Sequence, residues 1–233
     1  LGAEFGVSPR RGTIPRGRRS RARMTDFPKI TVTYFDIAAS RGEECRLALH
    51  VAGVPFHDNR IGFAQWAELK PNTPFGSLPT LEIEGRGILA QSNAILTFIG
   101  RAHDLHPRDN WEAAKHEALM CAVEDLRGHV SPTMRIKDEA EKKAAREALA
   151  SDYLPSWGER VERELAGAAP FVAGDRLNIA DIKLYVGVKW FRAGVLDHIP
   201  ADIFAPYAKL NALVDAVGSH ARVADWNSKA TTK

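Results

Sequence analysis

The sequence predicts an α/β domain followed by an all-helical domain, and three patterns support this prediction. Strand-like and helix-like segments alternate between residues 29 and 102, in the order β-α-β-α-β-β-α. From Asp109 onward, apolar residues recur at helical spacing only. Between these regions, residues 103–110 form a short polar stretch that contains a proline, and we expect the domain boundary there.

Each element of the first domain has a local signal. Residues 29–35 alternate and are rich in β-branched and aromatic side chains, which is typical of a strand. Residues 41–53 carry apolar side chains at helical spacing and end on a glycine, a common helix stop. The other expected elements are a strand at 55–61, a short helix at 63–69, a hairpin of strands 80–83 and 88–90, and a helix at 92–102 capped by Ser92.

The second domain is predicted to contain several helices. The alanine-rich, charged stretch 138–166 is typical of a helix with one solvated face. Asn178 is expected to cap another helix, with Asp181 at the third position, and at least one more helix is expected at roughly 203–217. The first long helix is predicted from an apolar stripe of Leu119, Met120, Val123, Leu126 and Val130.

The composition is that of a globular protein. The 233 residues are 45% hydrophobic and 26% charged, which excludes a collagen-like, disordered or disulfide-scaffold chain. No uncharged apolar run reaches the roughly 18 residues that suggest a membrane span. Cys45 and Cys121 form no Cys-x-x-Cys pair and the histidines are scattered, so neither a metal site nor a redox dithiol is indicated. We expect both cysteines to be structural, on apolar helix faces.

Charge is divided unevenly along the chain. Residues 1–23 hold seven arginines and one acidic residue, a formal charge of +6, whereas the remainder has 25 basic and 28 acidic residues, or −3. Residues 1–27 are therefore interpreted as a leader, expected to be disordered and outside the fold. Such a leader is typical of contact with nucleic acid or an anionic membrane, or of a transit peptide. The alternative is an extension upstream of a start at Met24.

A proline at the start of the predicted third strand suggests a binding function. In Ser77-Leu78-Pro79 the proline cannot donate to the strand ladder, and a cis bond is common at such tight positions. A cis bond would turn the Leu78 backbone outward and leave its N–H and C=O groups free to pair with an extended peptide ligand. The alternative is an ordinary proline at a sheet edge.

A second local feature is Gln91-Ser92, at a junction between a strand and a helix. The Ser92 hydroxyl and the free N–H groups of the first helical turn would form an anion site, assisted by the helix dipole. A carboxylate suits such a site. The alternative is plain N-capping, which is common at helix starts.

Six short motifs resemble those of the cytosolic glutathione transferases, and they occur in the order and spacing of that family. The resemblance covers about residues 28–228 and is closest to the sigma class of the tyrosine-type enzymes. It implies a thioredoxin-like domain at 28–103 that binds glutathione and an all-helical domain at 109–230 that binds the electrophile. The motifs are Thr33-Tyr-Phe-Asp36, Arg41-Gly-Glu-Glu44, Trp66-Ala-Glu-Leu-Lys70, Pro74-Phe-Gly-Ser-Leu-Pro79, Gln91-Ser-Asn-Ala-Ile95 and Glu124-Asp125.

The resemblance implies that Tyr34 is the catalytic hydroxyl. In this family, a tyrosine at the end of the first strand donates a hydrogen bond to the glutathione sulfur and so favours the nucleophilic thiolate. Arg41 matches the arginine that supports the thiolate electrostatically. The loop between them is one residue longer than the usual sigma-type loop. Ser40 therefore remains an alternative, because serine-type transferases use a hydroxyl in this loop.

The resemblance also implies how the glycine and cysteine parts of glutathione are held. Trp66 and Lys70 match positions that bind the glycine-end carboxylate, and their indole N–H and ammonium groups are donors only. Leu78, before Pro79, matches the backbone that pairs with the cysteinyl moiety. Ser77 replaces a residue that is often lysine or glutamine in relatives.

For the γ-glutamyl end, Gln91 and Ser92 match the positions that take the carboxylate. Asp125 matches an acidic residue that reaches the γ-glutamyl ammonium from the partner subunit, and Glu124 beside it would add negative charge. Phe75 matches the aromatic residue that inserts into the partner in several classes. The resemblance therefore implies a homodimer in which one chain alone does not form a complete site.

The function that the resemblance implies is conjugation of glutathione, as cosubstrate, to small hydrophobic electrophiles in cytoplasmic detoxification. Peroxidase activity stays open, and no metal, nucleic acid or membrane partner is expected. The electrophile pocket is expected between the loop 36–38 and the helix after Asp125, around Arg127, Gly128 and 130–134. Pro132 stands where the sigma-class prostaglandin isomerase has an aromatic residue, which argues against that activity. The alternatives are a non-catalytic ligand carrier and a crystallin-like structural protein.

Overall fold

The structure is a computed structural model that describes residues 28–165, 167 and 170–230. The predicted leader, residues 1–27, lies outside the described residues. A four-stranded mixed sheet with three helices is followed by six further helices in the described part of the chain. The predicted order of an α/β domain and then a helical domain is confirmed.

The sheet has the strand order β2-β1-β3-β4. Its strands are β1 (Ile30–Phe35), β2 (His57–Ile61), β3 (Thr80–Ile83) and β4 (Gly87–Ala90). β1 pairs in parallel with β2 and antiparallel with β3, which in turn pairs antiparallel with β4. β2 begins two residues later than predicted, and Pro55, which has no N–H to donate, stays outside the ladder.

The alternation in β1 reflects its burial. Ile30, Val32 and Tyr34 are buried, whereas the residues between them are half-buried. Tyr34 therefore belongs to the same inward-facing row as the apolar residues, because side chains two apart on a strand share a face.

Three helices accompany the sheet: α1 (Ser40–Ala52), α2 (Phe63–Leu69) and α3 (Ser92–Ala102). α1 packs against α3. The predicted stop of α1 is confirmed, since Gly53 adopts the left-handed conformation, with φ of 71°, in which glycine is favoured.

The predicted capping of α3 by Ser92 is wrong. Gln91 occupies the N-cap position with φ of 72°, and Ser92 is already the first residue of the helix. The Ser92 hydroxyl instead donates a hydrogen bond to Oε1 of Glu124, at 3.3 Å. A carboxylate from a distant part of the chain thus replaces the local backbone as its partner.

The remaining helices form the second half of the molecule. The predicted stripe of the first one is confirmed, because all five of its apolar residues are buried. The stretch 138–166 contains two helices joined by a π-helical turn, and Pro155, which cannot donate a backbone hydrogen bond, lies in the first turn of the second. The helices are α4 (Asn110–Val130), α5 (Glu139–Ala148), α6 (Leu154–Glu164), α7 (Ile179–Arg192), α8 (Ala208–Ser219) and α9 (Ala221–Ala230).

The last predicted helix starts later than expected. α8 begins at Ala208 rather than near residue 203, because Pro206 disfavours a helical conformation in the residue before it. α9 is a further helix that follows α8 almost directly.

α7 is the central helix of the second half. All residues from 179 to 188 are buried, and the helix packs against α1, α4 and α8. The predicted cap at Asn178 is confirmed. The Asp181 carboxylate accepts hydrogen bonds from the backbone N–H groups of Asn178, at 2.7 Å, and Val172, at 2.8 Å.

The two cysteines differ in environment. Cys45 is fully buried in α1, as predicted, and burial raises the pKa of its thiol well above the usual range. Cys121 is exposed on α4, so the prediction of an apolar surrounding is wrong for this residue.

Candidate active site

One end of the sheet brings most of the predicted site residues together. Thr80, at the start of β3, pairs with Thr33 of β1 and with Ala90 of β4. The end of β1, the segment before β3 and the residues after β4 therefore meet at the same end. This end of the sheet gathers Tyr34, Ser77, Leu78, Pro79, Gln91 and Ser92.

The segment before β3 reaches the same end of the sheet. The peptide bond between Leu78 and Pro79 is cis, which is the first of the two predicted alternatives. Ser77 and Leu78 are half-buried, and Pro79 is buried. The Leu78 backbone thus lies at the rim of the site.

Tyr34 is held tightly beside the start of α1. Its side chain is 6% exposed. Burial raises the pKa of its hydroxyl, while a hydrogen bond with the Ser40 side chain and the positive charges of Arg41 and Arg127 act in the opposite direction. Both candidate hydroxyls, Tyr34 and Ser40, therefore lie side by side. Ser40 adopts a left-handed backbone conformation, with φ of 63°, at the first position of the helix.

Arg41 points across to the second half of the molecule. Its Nε donates a hydrogen bond to Oε2 of Glu124 in α4, at 2.7 Å. Oε1 of the same carboxylate accepts the hydrogen bond from Ser92. Glu124 therefore links the predicted electrostatic residue, Arg41, to the predicted carboxylate-binding residue, Ser92.

Beneath these residues lies an ion cluster that consists of Arg41, Glu44, Glu124, Arg127 and Lys183. Nζ of Lys183 lies 2.8 Å from Oε2 of Glu44 and 2.5 Å from Oε1 of Glu124. Arg127 contacts Glu44, and it contacts Oε1 of Glu124 at 3.1 Å. Burial opposes the ionisation of Glu124, but the charges of Lys183 and Arg127 outweigh it and lower the pKa of Glu124 to about 2.

The sequence predictions missed Lys183. It lies in α7, where every neighbour from 179 to 188 is buried, and it is itself 0% exposed. A single lysine inside a continuous run of buried residues is the signal that would have identified it. A buried ammonium needs a charged partner, so such a lysine predicts acidic side chains nearby.

The residues predicted to hold the glycine end of glutathione lie on and just after α2. β2 ends opposite Phe35, and the ring of Trp66 in α2 lies 6.2 Å from the Phe35 ring, centroid to centroid. Trp66 is half-buried, and Lys70 is exposed at the end of this helix. Both side chains are thus near the same end of the sheet.

Gln91 is exposed at this end of the sheet, beside the buried Ser92. Asp125 is exposed and follows Glu124 on α4, so it points to a different side of the helix. It lines an open depression of about 440 Å³ rather than the ion cluster. The residues around this depression are Glu124, Asp125, Gly128, His129, Tyr153 and Arg160.

The predicted electrophile pocket is wrong with respect to Arg127. This residue is 1% exposed and belongs to the ion cluster, so its charge is directed to Glu44 and Glu124. A mostly apolar cavity of about 160 Å³ lies instead between the loop before α1 and helix α7. Its lining includes Ala38, Ala39, Leu47, Tyr185, Val186 and Trp190.

Neither a metal-binding group nor a membrane-spanning helix is present in the described ranges. Across residues 28–165, 167 and 170–230, no three His, Cys, Asp or Glu side chains come together in a way that could hold a metal ion. In the same part of the chain, none of the helices combines the length and apolar character needed to cross a bilayer.

Two family descriptions match the sequence. Residues 30–101 match "Glutathione S-transferase, N-terminal domain", and residues 124–230 match "Glutathione S-transferase, C-terminal domain". The first match contains the sheet end with Tyr34 and Ser92. The second contains Glu124, Arg127 and Lys183.

Three curated relatives are similar to this chain, two of them over most of its length. A probable glutathione S-transferase 7 of Caenorhabditis elegans is 30% identical over 203 residues, which cover 84% of this chain and 93% of the relative. Glutathione S-transferase 1 of Ascaris suum is 41% identical over 110 residues, 47% of this chain and 52% of the relative. The S-crystallin SL11 of Nototodarus sloanii is 27% identical over 206 residues, 87% of this chain and 97% of the relative.

Among solved structures, the prostaglandin synthase D of Nilaparvata lugens is similar, with a TM-score of 0.77 and 29% sequence identity. The similarity covers 87% of this chain and 98% of that one.

Proposed function

This chain belongs to the glutathione S-transferase family. We therefore propose that it binds glutathione at the end of the sheet that holds Tyr34, Leu78 and Ser92, and that it transfers the glutathione thiolate to small hydrophobic electrophiles. One observation carries this proposal. The Tyr34 hydroxyl lies with Ser40 and Arg41 at the start of α1, at the end of the sheet where Leu78 and Ser92 also lie.

The protonation state of Tyr34 suits the role of a donor. Because burial raises its pKa, the hydroxyl stays protonated at neutral pH and is able to donate to a thiolate. Lowering a thiol pKa by two units needs about 2.7 kcal/mol of preferential thiolate stabilisation. A hydrogen bond to a charged acceptor supplies about 1.5–3 kcal/mol of it. Positive charge from Arg41 would add to this effect.

The donors at the sheet end fit the two carboxylates of glutathione. We propose that Gln91 and the first backbone N–H groups of α3, beginning with that of Ser92, take the γ-glutamyl carboxylate, where the helix dipole favours an anion. Trp66 and Lys70 take the glycine carboxylate. The backbone of Leu78, with Ser77 and Pro79 on either side, pairs with the cysteinyl part.

The two halves of the chain have different proposed roles. We propose that residues 28–103 bind glutathione and residues 109–230 supply most of the electrophile site. The cavity between Ala38 and Trp190 is a supporting feature, because its walls are mostly apolar. Halogenated aromatics, isothiocyanates, epoxides and organic hydroperoxides are the substrate classes to screen, in keeping with a cytoplasmic detoxification role.

The test is a pH titration of the thiolate absorbance of bound glutathione in the wild type, Tyr34→Phe and Ser40→Ala. We expect a lowered thiol pKa in the wild type, and a return toward about 8.5 in Tyr34→Phe only. If Ser40→Ala alone has this effect, Ser40 is the activating hydroxyl. A wild type that binds glutathione without a change in its thiol pKa contradicts the enzyme proposal.

We also propose that the protein is a homodimer. Phe75 is 81% exposed on the turn before β3, and an open groove of about 700 Å³ runs between α3 and α4. Both are surfaces that an interface would cover. Phe75→Ala should shift the protein toward monomers in sedimentation velocity. Phe63→Ala is the matched control, since Phe63 is also exposed, at 80%, and should leave the dimer intact.

The proposed contribution of Asp125 from the partner has a separate test. In a mixed dimer of one Tyr34→Phe subunit and one Asp125→Ala subunit, a contribution across the interface places both changes in one site and leaves the other site intact. About half of the wild-type activity is then expected. If Asp125 acts within its own chain, both sites carry one change and the mixed dimer has no intact site.

A non-catalytic role, as a ligand carrier or a crystallin-like structural protein, is the second candidate. The similarity to an S-crystallin over 97% of that relative favours it. It predicts that the wild type binds glutathione or apolar dyes without lowering the thiol pKa. We expect no prostaglandin isomerase activity, because Pro132 stands where the sigma-class isomerase has an aromatic residue.

A further inference from the structure

Lys183 is a fully buried charge that no predicted role uses. Its ammonium contacts Glu44 of α1 at 2.8 Å, Glu124 of α4 at 2.5 Å and the Ser92 hydroxyl of α3 at 3.5 Å. A buried cation is costly unless its charge is compensated, and here two carboxylates compensate it. Lys183 thus joins three other helices at a point beneath the proposed glutathione site.

Lys183 reaches the proposed site through one shared carboxylate. Glu124 accepts from Arg41 with Oε2, at 2.7 Å, and from Lys183 with Oε1. Ser92 also donates to Oε1 of Glu124. The position of the Glu124 carboxylate therefore fixes both Arg41 and Ser92, and Lys183 is one of the groups that fix Glu124.

The ion cluster also carries a net charge. It contains three cations and two anions, which leaves a formal charge of +1. Its charges act at the Tyr34 hydroxyl, because Arg41 and Arg127 favour the ionised form there and Glu44 opposes it. The Cys45 thiol lies on α1 beside Glu44. Burial raises its pKa, so the thiol stays neutral, although the charge of Lys183 acts in the opposite direction.

We propose that Lys183 is a positioning residue for glutathione activation: through Glu124 it orients Arg41 and Ser92, and its charge keeps the ion cluster positive beneath the thiolate. This inference rests on the proposed function. The competing interpretation is that the cluster only ties the two halves of the molecule together. That interpretation predicts changes in the stability of the variants, but no change in the thiol pKa of bound glutathione that follows the net charge of the ion cluster.

The test uses the charge of the cluster as its variable, in the full chain with glutathione as the probe. Lys183→Met lowers the net charge from +1 to 0, Glu44→Gln raises it to +2, and the double variant restores +1. The measured quantity is the thiol pKa of bound glutathione. We expect it to rise by on the order of one unit in Lys183→Met, to fall in Glu44→Gln, and to return close to the wild-type value in the double variant.

A second readout concerns binding. Because Glu124 loses a cation in Lys183→Met, Arg41 and Ser92 lose their fixed partner, and the KM for glutathione should rise about tenfold. Arg192→Gln is the matched control on the same helix. Arg192 pairs with Asp215 and Asn211, outside the ion cluster, so this variant should keep the wild-type thiol pKa.

The outcomes separate this inference from the proposed function. A lowered thiol pKa in the wild type that is the same in Lys183→Met and Glu44→Gln overturns the role of Lys183 and leaves the transferase proposal standing. No lowered pKa in the wild type overturns both. If Lys183→Met does not fold, Glu44→Gln still tests the inference. The thiol pKa of glutathione bound to Glu44→Gln should fall, and a rise or no change contradicts the inference.

Discussion

At the scale of single residues, Gly42 lies directly against the ring of Tyr34. A Cβ atom at residue 42 would lie 2.1 Å from Cγ and from Cδ1 of that ring, far inside van der Waals contact. A ring surrounded by buried neighbours has little room to move. The absence of a side chain at residue 42 is therefore what allows Tyr34 to occupy its place beside Ser40.

Gly42→Ala should consequently displace Tyr34. We expect a loss of about 1–3 kcal/mol in the free energy of unfolding, as for other overpacked sites, together with a higher thiol pKa of bound glutathione. Gly128→Ala is the control for stability, because nothing lies within 4 Å of a Cβ there and alanine favours a helix. Equal stability changes in the two variants would contradict this account.

Single residues also differ in whether the sequence alone predicts them as part of the site. Tyr34, Arg41 and Ser92 were predicted, because each lies in a short motif whose neighbours define its place. Lys183 was not predicted, because its partners Glu44 and Glu124 lie 139 and 59 residues away in the chain. Local spacing can show that a lysine is buried, but it does not show which distant carboxylates pair with it.

At the scale of elements, the start of α7 depends on Asp181. This buried carboxylate accepts backbone hydrogen bonds at 2.7 Å and 2.8 Å, from residues on both sides of the preceding turn. It therefore fixes both the first residue of the helix and the segment that precedes it.

Asp181→Ala should be strongly destabilising. Removing the carboxylate leaves two N–H groups without this acceptor, and we expect a loss of roughly 2–4 kcal/mol in chemical denaturation. Asp109→Ala is the matched control, since Asp109 caps α4 from an exposed position and accepts from Trp111 and Glu112 at 3.0 Å. Its loss should be about 1 kcal/mol. If Asp109→Ala is the more destabilising variant, the interpretation of Asp181 is wrong.

Element boundaries were predictable where a local residue sets them. The end of α1 at Gly53 and the start of α7 at Asn178 follow from glycine and from a capping residue. The start of α3 was predicted less well. Ser92 has the chemistry of a cap, but Glu124 offers its hydroxyl a different acceptor, and only the folded chain brings that acceptor near.

At the scale of the whole molecule, two buried histidines lie where the two halves meet. His106 follows α3 and His116 lies in α4, and their rings are 6.3 Å apart. Burial, and next the neighbouring His106, lower the pKa of His116 to about 4. Glu112 and Lys115 are the other charged groups that act on it.

The contribution of His116 to stability should therefore be lost in mild acid, whereas Asp181, whose pKa burial raises to about 7, acts in the opposite direction over the same range. Because the pKa of His116 falls from 6.5 to about 4 on folding, its contribution is complete above pH 6.5 and is lost as the pH falls through 4. The loss is about 2–3 kcal/mol by pH 4. His116→Gln should remove this contribution, so the stability of the variant relative to the wild type should rise as the pH falls from 6.5 to 4, as measured by urea unfolding at several pH values. An unchanged slope in the variant would contradict the assignment.

The two-part architecture was predictable from the sequence because the change from alternating to purely helical periodicity is local. The way in which the parts join was not. Arg127 and Glu44, for example, are separated by 83 residues, and nothing in the sequence around either residue indicates that they pair.

The ion cluster also limits how this protein is recombined with its relatives. Arg41 and Glu44 come from the first half, whereas Glu124, Arg127 and Lys183 come from the second. A chimera that takes one half from another family member keeps buried charges from one parent opposite whatever the other parent supplies. The five side chains therefore have to be transferred together, so a graft of this kind must carry over the interface between the halves rather than either half alone.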